Sequence, residues 1–419
     1  MKKIVIISYY FPPCAKAGAH RAYAMAEYLP KFGWEPIFIA PKNGYYGRAV
    51  RVDVELLSVI DKFLVYRAPF FYPFNNRDSN LLARIARRFW ETLVFPDGKI
   101  FWNVHVKKLG TRAVIQHKPS IFFITGTPFS TFLLAPYIKK LFQLPVILDY
   151  RDPWTGFYRS YFPIKTKVNL KIERRCIEAA NLVTTASFHM IEFIKRYLGP
   201  SAIGKRFFGF PYGYNGEFFR RKILPIGSEN SDEKATATFA GFIHGDVDSR
   251  SILRGIRMAI EQDPEVEKKL RINCYGTLFG HSKNSMTLIE KYCLQKHIRL
   301  FPFLPYNEFL ITLRKSTFLI LPLGRSPLPM VLYPTKLFDY LGVKRPILYI
   351  GGNGQVAETI KACNAGICVK PEPTDIAIAI IEFVKRGHAK CFYTNNNAYE
   401  QLDRINIYEA FSKELENLI

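Results

Sequence analysis

The sequence predicts an α/β protein built as two consecutive domains, each a parallel β-sheet covered by helices. Three observations predict it. The chain has 419 residues, beyond the size at which a single hydrophobic core keeps growing. Short continuous apolar runs alternate with longer amphipathic segments, which is the pattern of repeated strand–helix units. That alternation stops at a Gly-, Pro- and Tyr-rich stretch (209–216, GFPYGYNG), crosses a polar acidic one (227–234, GSENSDEK), and then restarts.

Element by element, the first array reads as strands at 4–8, 36–40, 63–67, 121–125, 146–149 and 182–186. Their unbroken β-branched and aromatic character suits strands buried on both faces. Helical periodicity places helices between them at 19–29, 81–93, 104–117, 130–142, 165–179 and 188–198. The second array reads as strands at 236–240, 271–275, 298–301, 318–322, 347–350 and 367–369. Its helices fall at 250–261, 285–294, 306–313, 335–341, 355–363 and 376–386, and a last helix spans 396–418. Domains are therefore expected at 1–212 and 235–395, joined by a linker at 213–234. Residues 396–419 are expected to pack back on the first domain.

Composition bounds the function. Hydrophobic residues make up 48% and charged residues 22%, an ordinary globular mix that argues against disorder. The formal net charge of +24 predicts an anionic partner: nucleic acid, an anionic membrane face or a phosphorylated small molecule. No apolar run reaches the roughly 18 residues of a membrane-spanning helix, and the opening MKKIVIISYYFPP reads as a buried strand rather than a signal peptide. The seven cysteines form no C-x-x-C pair, so free thiols in a reducing cytoplasm are expected.

Three clusters suit ligand chemistry. After the first strand comes YYFPPCAKAGAHR, in which Gly18 permits close backbone approach and a helix N-terminus offers free N–H groups. His20 and Arg21 on that first helical turn suit contact with an acceptor or a phosphate. The second cluster, LDYRDPWT (148–155), directly follows a buried strand, at the sheet edge where open α/β folds bind ligands. Here Asp152 and Arg151 are the catalytic candidates and Trp154 a binding-surface one. An Asp–Arg pair that merely ties down the loop is the bland alternative. The third cluster runs LPMVLYPTKLFDYL (328–341), a Pro-rich loop entering a helix. Thr335, Lys336 and the helix N-terminus suit a diphosphate, and Asp339 one turn later suits ribose hydroxyls. The GGNG turn at 351–354 is a second close-approach candidate.

The opening YYFPP…AGAHRAYAMAEYLPKFGWEPIFIAP resembles the start of GT-B glycosyltransferases of family 4. So do ITGTPFSTFLLAPYIKKLFQLPVILDYRDPWTG and PTKLFDYLGVKRPILYIGGNG, in the same order and across nearly the whole chain. The resemblance implies two Rossmann-like domains facing across a cleft, with acceptor binding in the first and a nucleotide-sugar donor in the second. By position it implies that Asp339 holds the donor ribose, that Gly241 lies near the donor diphosphate, and that Asp152 sits near where many relatives carry an active-site His. The family's E-x7-E pair lacks its first acid, because Val331 stands there. Phe242 stands where an Arg is common, which leaves Arg250 and Lys336 as candidates to neutralise the phosphates. The family implies no cofactor and no metal. Asp246-Val247-Asp248 spells D-x-D, but in a context that does not suit metal binding.

The resemblance also implies a lipid-linked or saccharide acceptor in surface polysaccharide assembly, with retention of anomeric configuration. Within 77–118, nine Lys/Arg stand against three Asp/Glu, and LLARIARRFWETL (81–93) is a basic amphipathic helix. A cytoplasmic protein lying peripherally on the anionic inner membrane face through residues 81–93 is the expectation. A core-packed helix with a solvated basic face is the alternative. Two rival functions are a nucleotide-sugar epimerase of the same fold and a basic nucleic-acid-binding protein. No nucleic-acid motif or exposed aromatic platform supports the second, so no nucleic-acid partner is expected.

Overall fold

The computed structural model describes residues 1–42, 52–70, 81–155, 163–222, 234–241, 249–276, 282–302, 304–324, 328–386, 392–393 and 396–419. They fall into two compact units, Met1–Tyr212 with Ile407–Ile419, and Gly213–Asn406.

The first unit carries β1 (Lys2–Ser8), β2 (Trp34–Pro41), β3 (Val65–Ala68), β4 (Ile121–Gly126), β5 (Val146–Tyr150), β6 (Leu182–Thr185) and β7 (Arg206–Gly209). All pair in parallel, in the order β3-β2-β1-β4-β5-β6-β7. Every residue of β4 and β5 is buried, as their continuous apolar runs require of strands covered on both faces. The order reverses between β1 and β4, so a crevice opens beyond their carboxyl ends. The loops leaving β1, β4 and β5 all emerge at that edge.

The second unit carries β8 (Ala235–Ala240), β9 (Leu270–Tyr275), β10 (Ile298–Phe301), β11 (Phe318–Pro322), β12 (Ile347–Ile350) and β13 (Gly366–Val369). The order β10-β9-β8-β11-β12-β13 repeats the same doubly wound plan, with its reversal between β8 and β11. The helices Ser249–Gln262 and Pro373–Arg386 press Ile252, Ile256, Ile376 and Ile380 into one core with Phe318 and Leu348.

Several features differ from the sequence expectation. The strand β7 and the helix Gly216–Lys222 occupy a stretch read as loop and linker. Residues 213–222 belong to the second unit because Tyr214 bridges Asp403 and the Gly216 N–H donates to the Asp403 carboxylate at 3.3 Å. A helix at Pro264–Lys269 was not expected; Asp263 caps it, accepting from Glu265 N at 2.9 Å, and Pro264 opens it. The expected last helix is two, Asn396–Glu400 and Arg404–Glu416, broken where the same Asp403 carboxylate accepts from Ile405 N at 3.3 Å. Beyond that break, Phe411 stacks on Phe210 with centroids 4.2 Å apart and Tyr408 stacks on Tyr28 at 5.3 Å, which packs Ile407–Ile419 into the first unit.

Candidate functional site

In the second unit the sheet edge is built for close approach. Gly241 directly follows β8 with φ +102 and donates its N–H to Tyr275 O at 2.7 Å. Beside it Gly276, φ +110, follows β9. A methyl group on Gly276 would lie 2.9 Å from Gly241 O, so two bare backbones meet where side chains would fill the space.

Lys336 reaches into this gap. It stands in the first turn of the Thr335–Val343 helix, and a methyl on Gly241 would collide with its ammonium. Its Nζ also lies 5.8 Å from the Phe239 ring centroid. No hydrogen bond or ion pair engages that ammonium among the described residues. Burial pushes its pKa down to about 8, opposed by the Asp339 carboxylate. A desolvated cation with no direct partner among the described residues, in the first turn of a helix, is the complement of an anion.

Asp339 is half-buried on the next turn of the same helix. Its Oδ1 accepts the Tyr306 hydroxyl at 2.5 Å. Arg404 hydrogen-bonds that same hydroxyl and donates from Nε to Gly213 O at 3.1 Å. Burial pushes the Asp339 carboxyl up to about 6, against the Tyr306 hydrogen bond and the charges of Arg404 and Lys336. Thr335 opens the helix after Pro334, half-buried. The GGNG turn leaves β12, with Tyr349 OH donating to Gly352 O at 3.0 Å and Gly354, φ +148, leading into the Gln355–Ala362 helix. Lys336, Gly241 and Asp339 are thus brought together. Arg250 is exposed on the first turn of its helix. Phe242 and the D-x-D of 246–248 lie outside the described residues.

In the first unit, the RDPW segment is tied to its neighbours by charge. Asp149, fully buried, accepts from Thr125 Oγ1 at 2.8 Å and Thr184 Oγ1 at 2.9 Å. Arg151 donates from Nε to Gly126 O at 2.6 Å and Thr125 Oγ1 at 3.1 Å, and from Nη2 to Thr127 O at 2.7 Å. Gly18 serves this arrangement: a methyl there would strike the Arg151 guanidinium. Asp152 is half-buried beside Arg151, and burial raises its carboxyl pKa against the Arg151 charge. Among the described residues it has no hydrogen-bond partner. His20 is half-buried on the first turn of the Ala17–Tyr28 helix.

Two residues expected to face a ligand are instead interior. Arg21 is 1% exposed and donates to Pro211 O at 3.1 Å and Phe210 O at 2.5 Å, with Nε 3.6 Å from Asp149. It lies over the Phe210 and Tyr212 rings. Trp154 is 4% exposed and stacks face to face on Phe129, centroids 5.1 Å apart. Trp154 anchors the loop that carries Arg151 and Asp152, and Arg21 ties residues 210–212 to Asp149 of β5.

Sequence reading missed Tyr306, Arg404, Gly276 and Glu173. Glu173 had a signal: it falls at a helical phase shared with the buried Cys176, Ile177 and Ala180, where an acid is out of place. Among the described residues, no group of three or more His, Cys, Asp or Glu side chains is arranged to hold a metal ion.

No family model and no curated protein matches the chain by sequence. Solved structures do match its fold from end to end. The Anabaena protein HepE, in complex with UDP, is 12% identical with a TM-score of 0.66, covering 100% of both chains. Sucrose-phosphate synthase from Thermosynechococcus elongatus is 13% identical, TM-score 0.64, covering 100% of this chain and 98% of the other. The E. coli trehalose-6-phosphate protein bound with UDP-2-fluoro glucose is 12% identical, TM-score 0.65, covering 100% of both. The chain therefore has the GT-B fold of two Rossmann-like units.

Proposed function

We propose that the protein is a glycosyltransferase that moves a sugar from a nucleotide-diphosphate donor to a hydroxyl acceptor. The observation that carries this reading is the Lys336 ammonium, desolvated against Gly241 at the carboxyl edge of the second sheet. The diphosphate sits on Lys336 and on the N-terminus of the Thr335–Val343 helix, and Asp339 accepts the ribose hydroxyls. As the sugar–phosphate bond breaks, negative charge grows on the leaving diphosphate. Lys336 and the helix N-terminus stabilise it without a resident metal ion. Asp152, lacking a hydrogen-bond partner among the described residues, orients the acceptor hydroxyl or balances positive charge on the sugar. UDP and UDP-2-fluoro glucose in structural neighbours support a nucleotide-sugar donor.

The finer reading is a lipid-linked saccharide acceptor in surface polysaccharide assembly, with retention of configuration, on a protein held peripherally at the cytoplasmic membrane face. It is supported by the Leu81–Leu93 helix, on which Leu82, Ile85, Phe89 and Leu93 are 76%, 54%, 65% and 57% exposed. Their spacing puts four large apolar side chains on one solvent-facing stripe, which suits a bilayer and not a packed core. Among the described residues no helix is long and apolar enough to cross a membrane.

Mass-spectrometric screening of nucleotide sugars against the intact protein tests the donor claim. A bound nucleoside-diphosphate sugar is expected, with Asp339→Ala weakening it by about 1–3 kcal/mol through loss of charge-assisted hydrogen bonds. Retention of no nucleotide sugar, or equal retention by the variant, removes the assignment.

A further inference from the structure

A buried acid that takes no part in the sites above grips the loop that carries Arg151 and Asp152. Glu173 lies in the Pro163–Ala179 helix and is 2% exposed. Its Oε1 accepts the Tyr150 hydroxyl at 3.0 Å. Its Oε2 accepts the Thr155 N–H at 3.1 Å and the Thr155 hydroxyl. Tyr150 ends β5 and Thr155 lies just past Trp154, so a single carboxyl group holds both ends of the loop. Three donors on two oxygens complement an ionised carboxylate, which can only accept.

Stability alone does not account for this choice. A buried carboxylate costs several kcal/mol of desolvation, and apolar side chains in place of Glu173 and its donor hydroxyls together would fill the space at less cost. What an apolar side chain could not do is fix Tyr150 and Thr155 relative to each other. We infer that Glu173 is a positioning residue of the transfer reaction, holding residues 150–155 so that Asp152 and Arg151 meet the acceptor in one geometry. This rests on the reading of Asp152 as the acceptor-side group.

The grip depends on pH. Burial pushes the Glu173 carboxyl up to about 7, against the hydrogen bonds from Thr155 and Tyr150. Among the described residues, the titratable groups facing it are the Tyr150 hydroxyl and the Cys176 thiol. Burial raises both, Tyr150 well above its ordinary value and Cys176 to about 12, so both keep their protons at neutral pH. Among the described residues no charged side chain is paired with Glu173. A proton on Glu173 turns one acceptor into a donor, so the hold on Thr155 loosens as pH falls through about 7.

Hydrogen exchange over residues 150–155, corrected for intrinsic rates and followed across neutral pH, tests this in wild type, Glu173→Gln and Thr155→Val, with UDP titrated into each. In wild type, protection of these amides steps up as pH rises. In Glu173→Gln the step vanishes and protection drops about ten-fold, the loss of one hydrogen bond to a charged group. Strand protection and UDP affinity stay unchanged, and turnover of any donor retained in the screen loses kcat with its KM unaltered. If Glu173→Gln does not fold, Thr155→Val, which removes one donor and keeps the side-chain shape, must show the same drop. A wild-type-like step in Glu173→Gln, or protection within about two-fold of wild type in Thr155→Val, overturns the inference. Failure of UDP to bind wild type would count against the donor reading alone, since Glu173 and the loop lie in the other unit.

Discussion

At the scale of single residues, the donor assignment turns on what fits beside Gly241. Its φ of +102 disfavours any side chain, and the space a methyl would take is held by the Lys336 ammonium. Gly241→Ala should therefore destabilise the protein by about 1–3 kcal/mol in urea unfolding and abolish UDP binding. Gly352→Ala is the control, because a methyl there meets nothing within 4 Å; it should stay within about 0.5 kcal/mol of wild type. Equal stability of the two variants would show that the Gly241 backbone is not constrained as described. The residues proposed for the donor could be singled out in sequence because they stand at a strand end and at a helix start, places that residue type and spacing mark. Arg21 and Trp154 were misread for the opposite reason. The carbonyls that hold Arg21 are about 190 residues away, and Trp154 is covered by Phe129 from another loop. Whether a side chain beside a sheet edge points out or back is settled by such distant partners.

At the scale of elements, β1 to β6 and β8 to β13 were readable within a few residues, most plainly where, as in β4 and β5, a strand covered on both faces is an unbroken apolar run. What escaped was short or held from afar. The strand β7 is four residues, and the break before Arg404 exists because Asp403 bonds to Gly216 and bridges Tyr214. The Leu81–Leu93 helix was legible as amphipathic, but only its exposed stripe favours a membrane over a core. Vesicle sedimentation with anionic and neutral lipid should show wild type binding anionic vesicles, with binding weakened by salt. Changing Leu82 and Phe89 to Gln should release it, since each buried large apolar side chain contributes about 1.5–3 kcal/mol. Undiminished binding by that double variant would exclude this helix as the anchor.

At the scale of the whole molecule, each of the two units repeats one strand order. Each also places its candidate residues beyond the carboxyl ends of its strands, near the reversal of that order. This much was predictable from alternating apolar runs, whereas the identity of the acceptor is carried by surfaces that periodicity does not encode. The central claim, that the second unit holds a nucleoside diphosphate on Lys336, has a direct test in calorimetric titration of UDP into wild type and Lys336→Met, near pH 7 and again well above pH 8. Burial lowers the free ammonium's pKa from 10.5 to about 8, and a bound diphosphate favours the charged form. Binding should therefore take up protons, and affinity should fall as pH rises through about 8. In the variant, UDP should bind about ten-fold weaker or worse near pH 7 and lose that pH dependence. Unliganded, it should be at least as heat-stable as wild type, since a desolvated cation with no direct partner among the described residues is gone. UDP bound equally well by both proteins, with the same pH profile, would contradict the account.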